Sequence, residues 1–376
     1  MKVIVLGAGL VGAPMAFDLA KDNEFDVTVA DFSTASLNKF AEYENINTIQ
    51  LDVTKKDDLK SAISNFDFVL NAVPGFLGFE TMKTIIESKK NVVDISFFPE
   101  NQFDLKDLAE NNNVTAIIDC GVAPGMSNIL VGYLSSQLDK TENVEIYVGG
   151  LPEVRKLPYE YKAVFSPIDV IEEYTRPARY IENGKMVIKP ALTDQELMNF
   201  PNIGTLESFN SDGLRSLAET IDAPNMKEKT LRYPGHVDKM KLLRETGFFE
   251  KEEIEVNGMT ISPLDFTAKL LFPKWKLEEG EVDITVMKII VNGIKDGLKV
   301  NSSYFLYDKY DAETKVHSMA RTTGYTATMA LRMLAKGVFD KKGLILPEFI
   351  GKDESCVNFI LNGLEERGIV YQKTVF

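Results

Sequence analysis

The residues best placed to do chemistry fall at breaks between apolar runs. In "VIVLGAGLVGAPMA", Gly7, Gly9 and Gly12 keep a G-x-G-x-x-G spacing after a strand-like run and before a helical pattern. Gly7 permits a tight turn, Gly9 lets backbone approach a pyrophosphate, and Gly12 lets the helix pack closely on the strand. With Leu10 and Val11 between them, they end at a helix N-terminus that offers N–H groups to an anion. Asp31 closes "VTVAD" about twenty residues on, where a carboxylate hydrogen-bonds an adenine ribose 2'-hydroxyl and repels a 2'-phosphate. The pattern predicts NAD, with NADP second; FAD or another adenylate is the alternative. "NAVPG" adds Ala72, Val73 and Pro74, small or rigid residues at the end of an expected strand, where they leave room over a cofactor or simply turn the chain.

Two further breaks carry acids. "VVDISF" holds Asp94 and Ser96, and "DCGVAPGM" holds Asp119, Cys120 and Gly125. Ligands of an open α/β sheet bind beyond the carboxyl ends of its strands, so both belong at the mouth where a nicotinamide would lie. Capping of a following helix or loop is the other reading for Asp94 and Asp119.

These positions need a sheet behind them. Residues 2–6, 27–31, 67–72, 91–95 and 114–118 read as buried strands, with helical patterns between them, which predicts a Rossmann-type, doubly wound parallel sheet. After residue 127 the rhythm changes to longer β segments, "NVEIYVGG", "KMVIKPA" and "VDITVMKIIVNG", expected in a second α+β domain with an open, mostly antiparallel sheet. "TTGYTATMALRMLAKG" is an amphipathic helix ended by Gly337, followed by "GLILP" and a last helical stretch that return to the first domain. The expected division is 1–127 plus 318–376 for dinucleotide binding, and 128–317 for substrate binding and dimerisation.

Composition narrows the partners. With 56 acidic against 42 basic residues the formal charge is -14, which opposes a nucleic-acid partner. Two cysteines, Cys120 and Cys356, are too few for a disulfide framework or a cysteine-based zinc site, and no His/Cys/Asp spacing matches a metal motif. "MKVIVLGAG" is apolar for too short a stretch to be a signal peptide, and no run is long enough to span a bilayer. A cytoplasmic protein with a small-molecule substrate and no membrane or metal partner is expected.

"GAGLVG", "DCGVAPGMSN", "KTLRYPGH" and "ARTTGYTATMAL", in this order, resemble the saccharopine dehydrogenase family, in particular its glutamate-forming saccharopine reductases and lysine 6-dehydrogenases. The resemblance covers nearly the whole chain. It implies a Rossmann domain completed by C-terminal elements, an inserted domain that supplies substrate pocket and homodimer contact, and hydride transfer at a carbon bearing an amine. The compact chain, Asp31 and "LESFNSDGLRSL" lean towards lysine 6-dehydrogenase. A glutamate-forming saccharopine dehydrogenase and a non-catalytic NAD-binding member are the alternatives. From "LPYEYKAVFSPIDVIEEYTRPARYIENGK" and its neighbourhood the resemblance places Lys162, Ser166, Arg176, Asn210 and Asp212 near the substrate.

The expected chemistry sets demands. An ε-ammonium with a free pKa of about 10.4 must lose a proton before hydride can leave, a cost of roughly 4–5 kcal/mol at neutral pH. His236 in "YPGH" is a candidate base, because its ordinary pKa lies near neutrality; a structural histidine is the alternative. His317 reads as structural. Asp119, and behind it Asp94, are candidates to hold the amine and stabilise the iminium. Arg232 and Arg176, with Arg179 behind them, are candidates for the substrate carboxylate, each open to a plain ion pair instead. Cys120 lacks an adjacent histidine and reads as a small core residue.

Overall fold

The computed structural model describes residues 1–278 and 280–375. They form two compact units, Met1–Gln137 with Ala320–Tyr371, and Leu138–Met319 with the residues from Gln372.

The first unit is built on strands β1 (Lys2–Leu6), β2 (Asp26–Asp31), β3 (Ile46–Gln50), β4 (Phe68–Asn71), β5 (Asn91–Asp94) and β6 (Thr115–Ile117). With Gly343–Ile345 they make a seven-stranded sheet in which the late strand lies beside β6, followed by β5, β4, β1, β2 and β3. Every pairing is parallel. Strand order reverses between β1 and β4, which opens a crevice at their carboxyl ends. β1 is apolar on both faces: Ile4 and Leu6 join a core with Leu59, Met82, Ile85 and Ile118, while Val3 and Val5 point the other way and are equally buried. β3 was not expected from "NINTIQ"; it is an edge strand whose polar residues face out, so it has no continuous apolar run.

The C-terminal elements are tied into this unit by charge as well as packing. Buried Asp18, on helix Gly12–Leu19, accepts from Arg332 Nη1 at 2.6 Å, Arg367 Nε at 2.7 Å and Thr328 Oγ1 at 2.6 Å. Gly324 sits where a side chain would meet Met15 at 2.8 Å, so the helix Ser318–Ala335 approaches Gly12–Leu19 closely.

The second unit holds β7 (Lys140–Pro152), β8 (Ala178–Glu182), β9 (Lys185–Lys189), β10 (Glu196–Phe200), β11 (Gly204–Asn210), β12 (Asn225–Arg232), the separate hairpin β13 (Ile254–Val256) and β14 (Met259–Ile261), β15 (Asp283–Lys295) and β16 (Leu298–Lys309). With β17 as the late strand of the first unit, β18 (Tyr371–Val375) completes the sheet beside β16. This nine-stranded sheet is mixed: β12 runs parallel to β7, while β7, β15 and β16 are antiparallel neighbours. The chain leaves the first unit after helix Met126–Ser136, later than residue 127, because that helix packs on Pro347–Gly351. A Cβ at Gly132 would meet Glu348 O at 2.2 Å. The last strand belongs to the second sheet, a point helical periodicity in residues 354–365 did not reveal. Among the described residues no helix is long and apolar enough to cross a membrane.

Candidate active site

The glycine loop has the form its spacing predicts. A side chain on Gly12 would lie 2.1 Å from Gly7 O, so only glycine lets the helix start this close to the turn. A side chain on Gly9 would meet nothing within 4 Å, so its backbone faces open space. Leu10 is exposed there, and Val11 precedes helix Gly12–Leu19 without a side-chain cap; Ala13 N donates to Gly9 O at 3.3 Å and Pro14 has no N–H, which leaves the Gly12 N–H at the helix start to an anion. Ala72 leaves β4 against the same loop, its carbonyl 2.6 Å from the Cβ position of Gly7, and Val73 and Pro74 lead into helix Gly75–Glu87.

Asp31 braces the loop at the end of β2. Its Oδ2 accepts from Ala8 N at 2.7 Å and its Oδ1 from Ser33 N at 2.8 Å. Lys39 Nζ donates to Ala8 O at 2.9 Å. Open backbone at Gly9, an uncapped helix start and a carboxylate at the ribose position fit a dinucleotide, and Gly7, Gly9, Leu10, Val11, Gly12, Asp31 and Ala72–Pro74 would hold it.

Beyond the neighbouring strand ends lie the acids. Asn71 ends β4, Asp94 ends β5, and Asp119 follows β6, all buried. Asn71 Nδ2 donates to Asp94 Oδ1 at 2.7 Å, Ser96 Oγ donates to the same oxygen at 2.8 Å, and Ser96 N reaches Oδ2 at 3.2 Å. Burial pushes the Asp94 carboxyl up to about 7, the nearby Asp119 adds to this, and the three hydrogen bonds from Ser96 and Asn71 oppose it. Cys120 is fully buried beside both acids, its thiol pushed well up by burial and then by their charge, which fits a small core residue and not a nucleophile. Room for Ser96 comes from Gly78, whose Cβ would sit 2.2 Å from Ser96 Oγ.

The "GVAPG" turn directly follows Asp119 and Cys120. Gly125 has φ 133°, and a side chain on it would meet Gly121 O at 2.1 Å. Gly121 N donates to Pro124 O at 3.0 Å and Met126 N to Gly121 O at 2.8 Å, closing the loop on itself before helix Met126–Ser136. Asp119 itself has φ 51°, a left-handed conformation that aspartate tolerates better than most residues.

The second unit handles its predicted residues differently. His236 opens helix His236–Glu245 and is fully buried. Its Nδ1 lies 3.0 Å from Tyr159 O, a carbonyl that can only accept, so Nδ1 carries the proton and Nε2 accepts from Tyr174 OH at 2.9 Å. Burial, then the Arg232 charge, lower its pKa to about 3. The expectation of a base at His236 is therefore corrected: both ring nitrogens are occupied inside the unit.

Arg232, 2% exposed, donates to Glu173 Oε2 at 2.7 Å and to Leu231 O, and stacks 4.7 Å over the Tyr161 ring. Arg179 grips Asp212 with Nε at 3.0 Å and Nη2 at 3.1 Å. Asn210 accepts from Tyr180 OH at 3.0 Å and donates to Thr193 and Asp194. Lys162 donates to Lys276 O at 2.8 Å and pairs with Glu281 at 3.2 Å. Ser166 precedes helix Pro167–Thr175 and bonds to Asp169, and Arg176 lies 3.8 Å from Glu172. The structure thus gathers Arg232 and His236 into one aromatic cluster with Tyr161 and Tyr174, and distributes Lys162, Ser166, Arg176, Asn210 and Asp212 among other networks. His317 pairs with Asp283, which also accepts from Ser318 N and Met319 N and so caps the helix they begin. Asn71 was missed by sequence reasoning, although it is the single polar residue of "FVLN".

Comparison with known proteins adds the lineage. A family model for the saccharopine dehydrogenase C-terminal domain matches residues 121–369, and one for the saccharopine dehydrogenase NADP binding domain matches residues 3–117. The chain is 25% identical to the mitochondrial alpha-aminoadipic semialdehyde synthase of Mus musculus over 98% of its own length and 47% of the relative's. It therefore spans about half the length of the first curated relatives it matches. A carboxyaminopropylagmatine dehydrogenase from Synechocystis is 23% identical over 100% of the chain and 98% of the relative. Among solved structures, the apo saccharopine dehydrogenase (L-Glu forming) of Saccharomyces cerevisiae superposes with a TM-score of 0.82 at 20% identity, covering 100% and 99% of the two chains, a likeness of fold.

Proposed function

The chain belongs to the saccharopine dehydrogenase family, and we propose that within it the protein is an NAD-dependent amino-acid oxidoreductase that deaminates L-lysine at its ε-carbon. The observation that carries the amine reading is the pair of buried acids, Asp94 and Asp119, at the carboxyl ends of β5 and β6, on the same edge of the sheet as the glycine loop. A carboxylate pair suits a substrate that enters as a cation and passes through an iminium. Asp94, with a pKa near neutrality, takes the proton that the ε-ammonium must lose, and Asp119 holds the positive charge that remains. A dinucleotide held by the Gly7–Gly12 loop and Asp31 would supply the hydride acceptor. Water then adds to the iminium carbon, and ammonia leaves an aldehyde.

NAD is favoured over NADP because a 2'-phosphate would meet the Asp31 carboxylate, already fixed by Ala8 and Ser33. Lysine is favoured over a larger, more acidic substrate because Lys162, Arg176, Arg179 and Arg232 are each paired with a carboxylate of their own unit. The second reading, oxidation or formation of a secondary amine, draws support from relatives named carboxynorspermidine synthase and glutamate-forming saccharopine dehydrogenase. A homodimer with cytoplasmic location completes the proposal. The test is reduction of NAD, with NADP in parallel, by purified protein given L-lysine or saccharopine. Reduction of NAD with lysine and release of ammonia is the expected result; turnover of saccharopine alone moves the protein to the second reading.

A further inference from the structure

Asn71 is an anomaly in its strand. β4 is otherwise apolar, and Asn71 is 0% exposed, yet its Oδ1 has no hydrogen-bond partner among the described residues. Leaving a buried acceptor unpaired is costly enough that such an atom calls for a physical reason. The other half of the amide is engaged, since Nδ2 donates to Asp94 Oδ1 at 2.7 Å.

We infer that Asn71 is a positioning residue linking ligand to acid: its Nδ2 orients Asp94, and its Oδ1 accepts an N–H from the ligand bound at the strand ends. Two observations place that ligand beside it. The next residue, Ala72, lines the glycine loop, with its Cβ 3.3 Å from the Cβ position of Gly12. The strand order also reverses between β4 and β1, so the end of β4 borders the crevice where dinucleotides lie. The N–H has two sources of the same chemistry, the carboxamide of a nicotinamide or the amine of the substrate, and the inference rests on the dinucleotide reading above.

The link orders the acid. Asp94 Oδ1 already takes two donors, Asn71 Nδ2 and Ser96 Oγ, whereas Oδ2 has Ser96 N at 3.2 Å. The proton that Asp94 gains is therefore steered to Oδ2. The groups facing Asp94 are Asn71 from β4, Ser96 from its own loop, and Asp119 and Cys120 from the β6 loop. Helix Gly75–Glu87 meets Ser96 through Gly78 and brings no charge there. Asn71 is thus a neutral donor holding the carboxylate against a like charge.

The experiment is calorimetric binding of NADH, and of the reduced 3-acetylpyridine analogue whose ketone has no N–H, to the full wild-type chain and to Asn71→Leu. If the carboxamide is the donor, the substitution weakens NADH about tenfold and leaves the analogue unchanged. If the amine is the donor, both dinucleotides bind as before, KM for the amine rises about tenfold, and the acidic limb of kcat/KM moves to higher pH. Asn71→Ala, which likewise removes both the donor to Asp94 and the acceptor for the ligand, serves if Asn71→Leu does not fold. Equal weakening of both dinucleotides, or no change in either binding or the limb, overturns the inference. A wild-type chain that binds neither dinucleotide overturns the nucleotide reading with it, whereas one that binds NADH but oxidises no amine leaves the carboxamide arm to decide.

Discussion

The strand-end cluster of Asn71, Asp94, Ser96 and Asp119 and the cluster around Arg232 are both buried, yet they treat charge in opposite ways. Arg232 has Glu173 at 2.7 Å, the Tyr161 ring beneath it, and a histidine beside it that stays neutral with both nitrogens bonded. Asp94 has neutral donors and a second acid nearby, and its pKa rises to about 7. A compensated buried charge holds a unit together; one left beside a like charge can take up a proton or a cation. Buried ionisable residues alone therefore do not mark a site, and their partners decide.

The sharpest way to break this contrast is the pH dependence of stability. Asp94 is about 7 when folded and near 3.9 when unfolded, so between these values the folded chain binds more protons and stability falls as pH rises. Asp94→Asn abolishes that share. The variant's stability relative to wild type, read from urea unfolding, should therefore improve by on the order of 4 kcal/mol from pH 4 to pH 8. Glu228, pushed up to about 8 by burial, contributes in the same direction in both proteins and cancels from the difference. A difference that stays flat across the range would mean Asp94 is ionised throughout and the contrast is false.

Next in size is the removal of compensation. Glu173→Leu leaves the Arg232 guanidinium buried without its carboxylate, and should cost about 3 kcal/mol at neutral pH by the same unfolding measurement. A loss below about 1 kcal/mol would place Glu173 with ordinary surface pairs and make Arg232 available to a ligand.

How much of this was legible in the sequence follows from the range of the signal. The glycine loop, Asp31 and the strand-end acids are local: spacing alone sets Gly12 against Gly7, and a strand break puts Asp94 and Asp119 at the carboxyl edge. The partners that decide each charge are distant in sequence. Glu173 lies 59 residues from Arg232, and Tyr159 lies 77 from His236, so no periodicity announces that the histidine is closed. Edge strand β3 and the terminal β18 escaped for a related reason, since polar residues and short runs carry little pattern until a neighbour supplies the ladder. Asn71 could have been found, because a lone polar residue at the end of an apolar strand stands out at a predicted ligand edge.

The smallest effect is the most discriminating between the two clusters. His236 should titrate near 3 in the folded chain, lowered by burial and by Arg232, whereas Asp94 titrates near 7. The acidic limb of kcat/KM, measured with the amine that the protein oxidises, should therefore belong to the strand-end cluster. His236→Gln should leave the position of that limb unchanged, even if the loss of the Tyr174 and Tyr159 hydrogen bonds lowers the folded fraction, because kcat/KM per folded molecule is what the limb reports. A shift of the limb in this variant would assign the working proton to the second unit, and Asp94 would then be a buried acid held for structure.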